Sequence, residues 1–257
     1  MTFPVVWTIF GREIHAHNVM ETLAYTVGGF VYRCARKRSA LAREPVESTL
    51  WVISAAAFGA WAGSKVLAIV EMPEHYLPLL GHVELLFEGK TIVGGLLGAW
   101  AGVEIAKRCL SVRSRTGDAF VPTLTAAIPI GRIGCFLEGL PDHTYGTPTS
   151  LPWGVDFGDG IARHPTQLYE SIFVLVMGTL LCLTKFRREG DRFRVFFAGY
   201  FLFRFGVEFI KPREHLYGPL SAIQWASAFG VAMCIWQLAR GASPGPPESP
   251  APPLTAT

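Results

Sequence analysis

Seven apolar stretches alternate with polar clusters along the 257 residues, at 18–32, 48–70, 91–106, 119–136, 166–184, 195–210 and 220–238. Several approach the roughly 20 residues an α-helix needs to cross a hydrocarbon core, while the first, third and sixth need flanking residues to complete them. The pattern predicts an all-α, polytopic integral membrane protein with seven transmembrane helices. A large soluble helical protein fits poorly, because apolar runs of this length are separated here by charged clusters. No convincing internal repeat is present, which counts against the inverted-repeat architecture of many transporters.

Composition agrees: half of the residues are hydrophobic and only 17% are charged, with a mean hydropathy of +0.33. The small net charge of +3 conceals a strong asymmetry. With the N-terminus outside, the inner loops hold Arg33, Arg36, Lys37, Arg38 and Arg43, then Lys107, Arg108, Arg113 and Arg115, then Lys185, Arg187, Arg188, Arg192 and Arg194. The outer side holds only Arg12, Lys90, Arg163, Lys211 and Arg213. Positive-inside bias thus predicts N-terminus out and C-terminus cytoplasmic. Two outer segments, 71–90 and 137–163, are long enough to form caps or interfacial helices. Residues 1–240 read as one membrane-embedded domain, and 241–257, rich in Pro, as a disordered cytoplasmic tail. The start lacks a basic region followed by an apolar run and a small-residue cleavage site, so no cleavable signal is expected.

The five cysteines, at 34, 109, 135, 182 and 234, are odd in number and scattered, indicating neither a disulfide framework nor a zinc site. The histidines lack spacing such as HExxH, so neither a metal nor a cofactor is expected. Nucleic-acid binding is disfavoured because the basic residues follow the inner loops rather than one folded patch.

Chemistry concentrates in three motifs. In "IPIGRIGCFLEG", Arg132 stands near the outer end of an apolar span, after Pro122 and Pro129, which remove backbone donors. A charge at mid-span costs about 2.5–3.5 kcal/mol on insertion scales, so such a side chain faces the bundle interior or snorkels to the interface. Gly131 and Gly134 beside it permit close approach of a backbone or a ligand. In "FLFRFGVEFIKPRE", Arg204 and Glu208 are four residues apart and share a helical face, either as an ion pair orienting helices or as a second anion-binding arginine. Two intramembrane arginines suit a phosphate ester, since the guanidinium fork bonds phosphate oxygens in pairs and does not titrate. In "RHPTQLYES", His164 precedes a helix start where Gln167, Tyr169 and Glu170 add polar groups to an apolar span. Gly94 and Gly95 in "IVGGLLGAW" are a weaker signal, common in close helix packing.

Taken together, these motifs resemble the prolipoprotein diacylglyceryl transferase family. "IGRIGCFLEG" resembles the family's arginine signature, "HPTQLYE" the opening of its next helix, and "YFLFRFGVEF" with "LSAIQ" its last two spans, in the family's order. The resemblance extends from about residue 14 to 238. It implies transfer of a diacylglyceryl group from phosphatidylglycerol to the lipobox cysteine thiol of prolipoproteins, releasing glycerol 1-phosphate, at the periplasmic face of the bacterial inner membrane. A monomer in the lipid bilayer is expected. Arg132 and Arg204 would then stabilise the phosphate as its charge develops, with Gly131, Gly134, Glu208, His164, Gln167, Tyr169, Glu170, Gly94 and Gly95 around the substrate. Val93 stands where many members have histidine, Cys135 where many have asparagine, and His17-Asn18 where a Tyr-Gly pair is common. Attack requires a thiolate, hence a base. His143, eleven residues after Arg132 and flanked by Asp142 and Tyr145, is a candidate, or else a solvated loop residue. Cys135 reads as a packed thiol rather than a nucleophile. A paralogous transferase with another acceptor, or a non-enzymatic lipid-binding or transport protein, are the competing readings.

Overall fold

The computed structural model describes residues 2–9, 11–37, 45–82, 89–112, 115–212 and 217–241. Arg38, Arg43, Arg113, Arg213, part of the 71–90 segment and the Pro-rich tail lie outside the described residues. An antiparallel hairpin comes first, β1 (Val6–Ile9) paired with β2 (Arg12–His15). Gly11 supplies the positive φ of 72° that its turn requires. Seven long helices follow: α1 (Ala16–Arg36), α2 (Val46–Glu71), α3 (Ile92–Cys109), α4 (Phe120–Glu138), α5 (Thr166–Leu183), α6 (Asp191–Val207) and α7 (Ala222–Gly241).

Each apolar stretch maps onto one of these helices. Four of them, Val46–Glu71, Gly117–Glu138, Thr166–Leu183 and Ala222–Arg240, are long and apolar enough to cross a membrane. The other three are shorter or less apolar, with charges along them: Glu21, Arg33 and Arg36 on α1, Glu104, Lys107 and Arg108 on α3, and Asp191, Arg192, Arg194 and Arg204 on the 17-residue α6. Tyr25, Phe30, Phe58, Leu183 and Leu202 stand exposed on helix surfaces, the outward apolar face expected of elements solvated by lipid.

Small residues decide how closely the helices pack. A Cβ added to Gly98 of α3 would meet the carbonyl of Gly59 on α2, and one added to Gly94 would meet that of Gly63, the small-residue seam of membrane helix pairs. On α1 and α4, a Cβ at Gly134 would lie 2.9 Å from Met20 Cβ and 3.2 Å from His17 O. Aromatic rings fill the centre: Phe193 and Phe197 of α6 pack tilted by 36° with centroids 4.0 Å apart, and Trp100 of α3 meets Phe197 edge-on at 5.7 Å. At the far end of α6, Asp118 accepts the backbone N–H groups of Gly190 and Phe193 at 2.8 and 3.0 Å. It thereby caps a helix start from another segment of the chain.

Over the arginine-bearing end, residues 137–163 form a cap of turns and short strands rather than an interfacial helix. A single 3-10 turn, Leu140–Asp142, precedes β3 (Val155–Asp156) paired with β4 (Ala162–Arg163). Phe157 is its buried centre, ringed by Phe3, Phe136 and Tyr145 at 5.2, 5.7 and 6.0 Å between centroids. Asp156 Oδ1 accepts three consecutive N–H groups, from Gly158, Asp159 and Gly160. Thr147 N–H donates to Ile210 O at 2.8 Å, tying the cap to the end of α6. In the 71–90 segment the described part holds one helical turn, Pro73–Tyr76, and a 3-10 turn, Leu77–Leu79.

Candidate active site

Three helices each send a charged side chain to one point. Arg132 arrives from α4, downstream of Pro129, whose missing N–H loosens that helix. Glu170 comes from the second turn of α5 and Arg204 from the last turn of α6. One carboxylate oxygen, Glu170 Oε2, accepts from both Arg132 Nη2 and Arg204 Nη1, each at 3.0 Å. Its other oxygen accepts the Tyr200 hydroxyl at 2.6 Å. Arg204 Nη2 continues to Glu208 Oε2 at 3.0 Å. All five residues are buried, Glu170 to 1% of its exposed area. In such surroundings an arginine without a counter-ion would cost several kcal/mol, so the shared carboxylate is what lets two guanidiniums stand side by side.

The cluster is not saturated. Arg132 Nε and Arg204 Nε are buried without a hydrogen-bond partner, as are both amide atoms of Gln167. Arg132 Nη1 contacts the Cys135 thiol, Sγ at 3.6 Å. Lys211, just past the 3-10 turn Glu208–Ile210 that follows α6, is buried as well. Burial, and then the charge of Arg204, hold its amine down at about 8. Buried guanidinium N–H groups with donors to spare, in a cluster that also buries an amide and a lysine, suit an anion carrying several acceptor oxygens, above all a phosphate.

Of the residues anticipated from sequence, Arg132, Arg204, Glu208 and Glu170 are brought together, with Gln167 buried on α5 just before Glu170. His164 and Tyr169 form a separate pair at the foot of the cap, with His164 Nδ1 3.1 Å from the Tyr169 hydroxyl, which also accepts Trp153 Nε1–H at 2.8 Å. Gly131 and Gly134 face α1. Gly94 and Gly95 face α2, where they serve helix packing. His143 is exposed, with a φ of 53°, and its side chain makes no hydrogen bond among the described residues. Tyr200 was missed, although its position one turn before Arg204 placed it on the same face. Lys211 had been counted only as a loop charge.

Beside Arg132, a ring nitrogen of His17, Cys135 Sγ and an Asp142 carboxylate oxygen lie within 4.8 Å of one another, a donor set able in principle to hold a metal. Farther out on the cap, Asp159 and Arg163 form a two-pronged pair at 2.7 Å. The hydrogen bonds from Arg163 hold the Asp159 carboxyl below its ordinary value.

The family model described as prolipoprotein diacylglyceryl transferase matches residues 4–240, which include every residue of the buried cluster. The chain belongs to the prolipoprotein diacylglyceryl transferase family. Among similar members, the phosphatidylglycerol–prolipoprotein diacylglyceryl transferase of Geobacter sulfurreducens is 32% identical over 235 residues, covering 86% of this chain and 88% of that relative. The enzyme of the same name from Bordetella bronchiseptica is 29% identical over 238 residues, covering 85% and 86%. That of Cupriavidus pinatubonensis is 33% identical over 195 residues, 67% of either chain. In this family member the arginine signature, the "HPTQLYE" helix start and the "FRFGVE" segment are thus the three pieces of one buried site.

Proposed function

We propose that this chain transfers the diacylglyceryl group of phosphatidylglycerol to the lipobox cysteine thiol of prolipoproteins, releasing glycerol 1-phosphate. The observation carrying this reading is the pair of buried arginines on separate helices, held by one carboxylate and each left with an unpaired Nε–H. The thiol sulfur attacks the glyceryl carbon, the carbon–oxygen bond to phosphate breaks, and the phosphate gains a negative charge. Arg132 and Arg204 stabilise that charge where water is excluded, as preorganised donors do in general. Lys211 adds a third positive charge behind Arg204.

The reading takes all seven helices as spans, with the N-terminus outside, the cap periplasmic and the site opening toward the periplasmic face of the inner membrane. The enzyme acts as a monomer, with the diacyl chains in the bilayer. The positive-inside distribution of Lys and Arg supports this orientation. The test is complementation of bacteria depleted of their own transferase, with lipoprotein modification followed by mass. The expected result is rescue by the wild-type chain and none by Arg132→Ala. A well-expressed, membrane-inserted wild-type chain that gives no rescue would overturn the proposal.

A further inference from the structure

The phosphate grip leaves the proton of the attacking thiol without an acceptor, and the groups beside it supply one. His17 is the second residue of α1, held against α4 where Gly134 packs on its backbone. Its Nδ1 is buried with no hydrogen-bond partner and lies 3.8 Å from Asp142 Oδ1. Asp142 is itself fixed, because the Thr144 hydroxyl donates to its other oxygen. Cys135 Sγ lies within 4.8 Å of both groups and touches Arg132. An imidazole backed by a carboxylate therefore stands one residue away from an arginine of the grip, in space already filled by one thiol. Of the histidines at this end of the chain's helices and cap, His15 bonds Glu138 at 2.9 Å, His164 bonds Tyr169, and His143 is exposed on the cap.

We propose that His17, oriented by Asp142, is the general base that takes the proton from the acceptor cysteine, a role that rests on the transferase reading above. As the carbon–sulfur bond forms, the thiol proton moves to the imidazole and the electron pair of the breaking carbon–oxygen bond goes to the phosphate oxygen. His17 then returns the proton to water. Asp142 is a positioning residue: its charge faces the imidazole and favours the cation that forms, as a carboxylate behind a catalytic histidine does elsewhere. Among the described residues, Glu21, one turn along α1 and itself paired with Lys90 at 3.0 Å, also acts on His17, and Arg132 of α4 stands against Cys135, the thiol beside it. A general base acts in its unprotonated form, so a base-dependent rate carries an acid limb.

The test measures kcat and KM against pH for the detergent-solubilised full chain, with phosphatidylglycerol and a lipobox peptide. His17→Gln is expected to lower kcat by about 10²–10⁴-fold, to leave KM for the lipid within about threefold and to abolish the acid limb. Asp142→Asn is expected to lose less, about tenfold, and to displace that limb. For His17→Ala, added imidazole restores part of the rate if only the base is missing. A His17→Gln enzyme with near wild-type kcat, or with an unchanged acid limb, would overturn the assignment while leaving the transferase intact. If a chelator silences the wild type and Zn²⁺ restores it, the His17, Cys135 and Asp142 set holds a metal and the base assignment falls. A wild-type chain inactive at every pH would instead sink the transferase reading itself.

Discussion

Replacing Glu170 by Gln separates the two jobs of that carboxylate, charge and hydrogen bonding. Glu170 accepts from Arg132, Arg204 and Tyr200 at 3.0, 3.0 and 2.6 Å. Glutamine keeps one carbonyl oxygen but turns an NH2 toward groups that are themselves donors. Two buried guanidiniums then lose the counter-ion they share, and removing one partner of a buried pair costs about 3–5 kcal/mol. At about 2–4 °C per kcal/mol for a chain of this size, Tm falls by roughly 6–20 °C. Thermal unfolding in detergent measures this directly. A cycle with Arg132→Gln and the double variant is expected to give a coupling of about 0.5–3 kcal/mol, because the double variant no longer buries an unpaired Arg132. Added glycerol phosphate should stabilise Glu170→Gln more than the wild type, since it returns the missing negative charge. A Glu170→Gln protein that melts within 2 °C of the wild type, to quote roughly the smallest shift that matters, would refute the shared counter-ion argument.

Three further outcomes are expected. Gly98→Ala drives a methyl into the Gly59 carbonyl and should destabilise by about 1–3 kcal/mol, whereas Gly95→Ala, whose Cβ would sit 3.6 Å from Ala60 O, should stay within about 0.5 kcal/mol; paired melting curves separate them. Lys211, with its amine at about 8, should give lipid binding an alkaline limb near that pH, because the neutral amine no longer attracts phosphate. Lys211→Arg should remove the limb, and its persistence would assign the titration elsewhere. Its stability linkage has the matching sign: a folded-state value below the ordinary lysine range penalises the fold below about 8 and relieves it as pH rises toward the unfolded value near 10.5. Asp159, held below its ordinary value by Arg163, contributes cap order above the usual carboxylate range that is lost as pH falls through its depressed value. Proteolysis of the 149–163 loop should therefore accelerate in acid, and Asp159→Asn should show no such dependence.

The helices were legible because an apolar run of this length has few other uses. Arg204 and Glu208 were legible as a pair because helical spacing alone puts them on one face, and Gln167 and Glu170 as polar groups set into an apolar span. What escaped depends on contacts distant in sequence. The cap strands are two residues long, too short for alternation to register. Their aromatic centre needs Phe3 from the N-terminus against Phe136 and Phe157. The sequence also offered His143 as a base because it follows Arg132 closely. The chain turns at Gly139, with φ of 74°, leaving His143 on the surface and bringing Asp142 against His17 at the start of α1. Gly94 and Gly95 were ambiguous between ligand and helix as neighbours, and the Gly63 carbonyl facing Gly94 places that position in the seam.

A pair of arginines that gripped phosphate without restraint would be a poor turnover device, because the leaving glycerol phosphate carries more negative charge than the lipid it came from. Glu170 sits between them as a permanent competitor. In the proposed reaction it would keep the guanidiniums in place when no lipid is bound and, by repelling the extra charge of the departing monoester, would loosen the hold on product more than on substrate. The carboxylate that holds the empty site together would thus also help to empty it after each reaction.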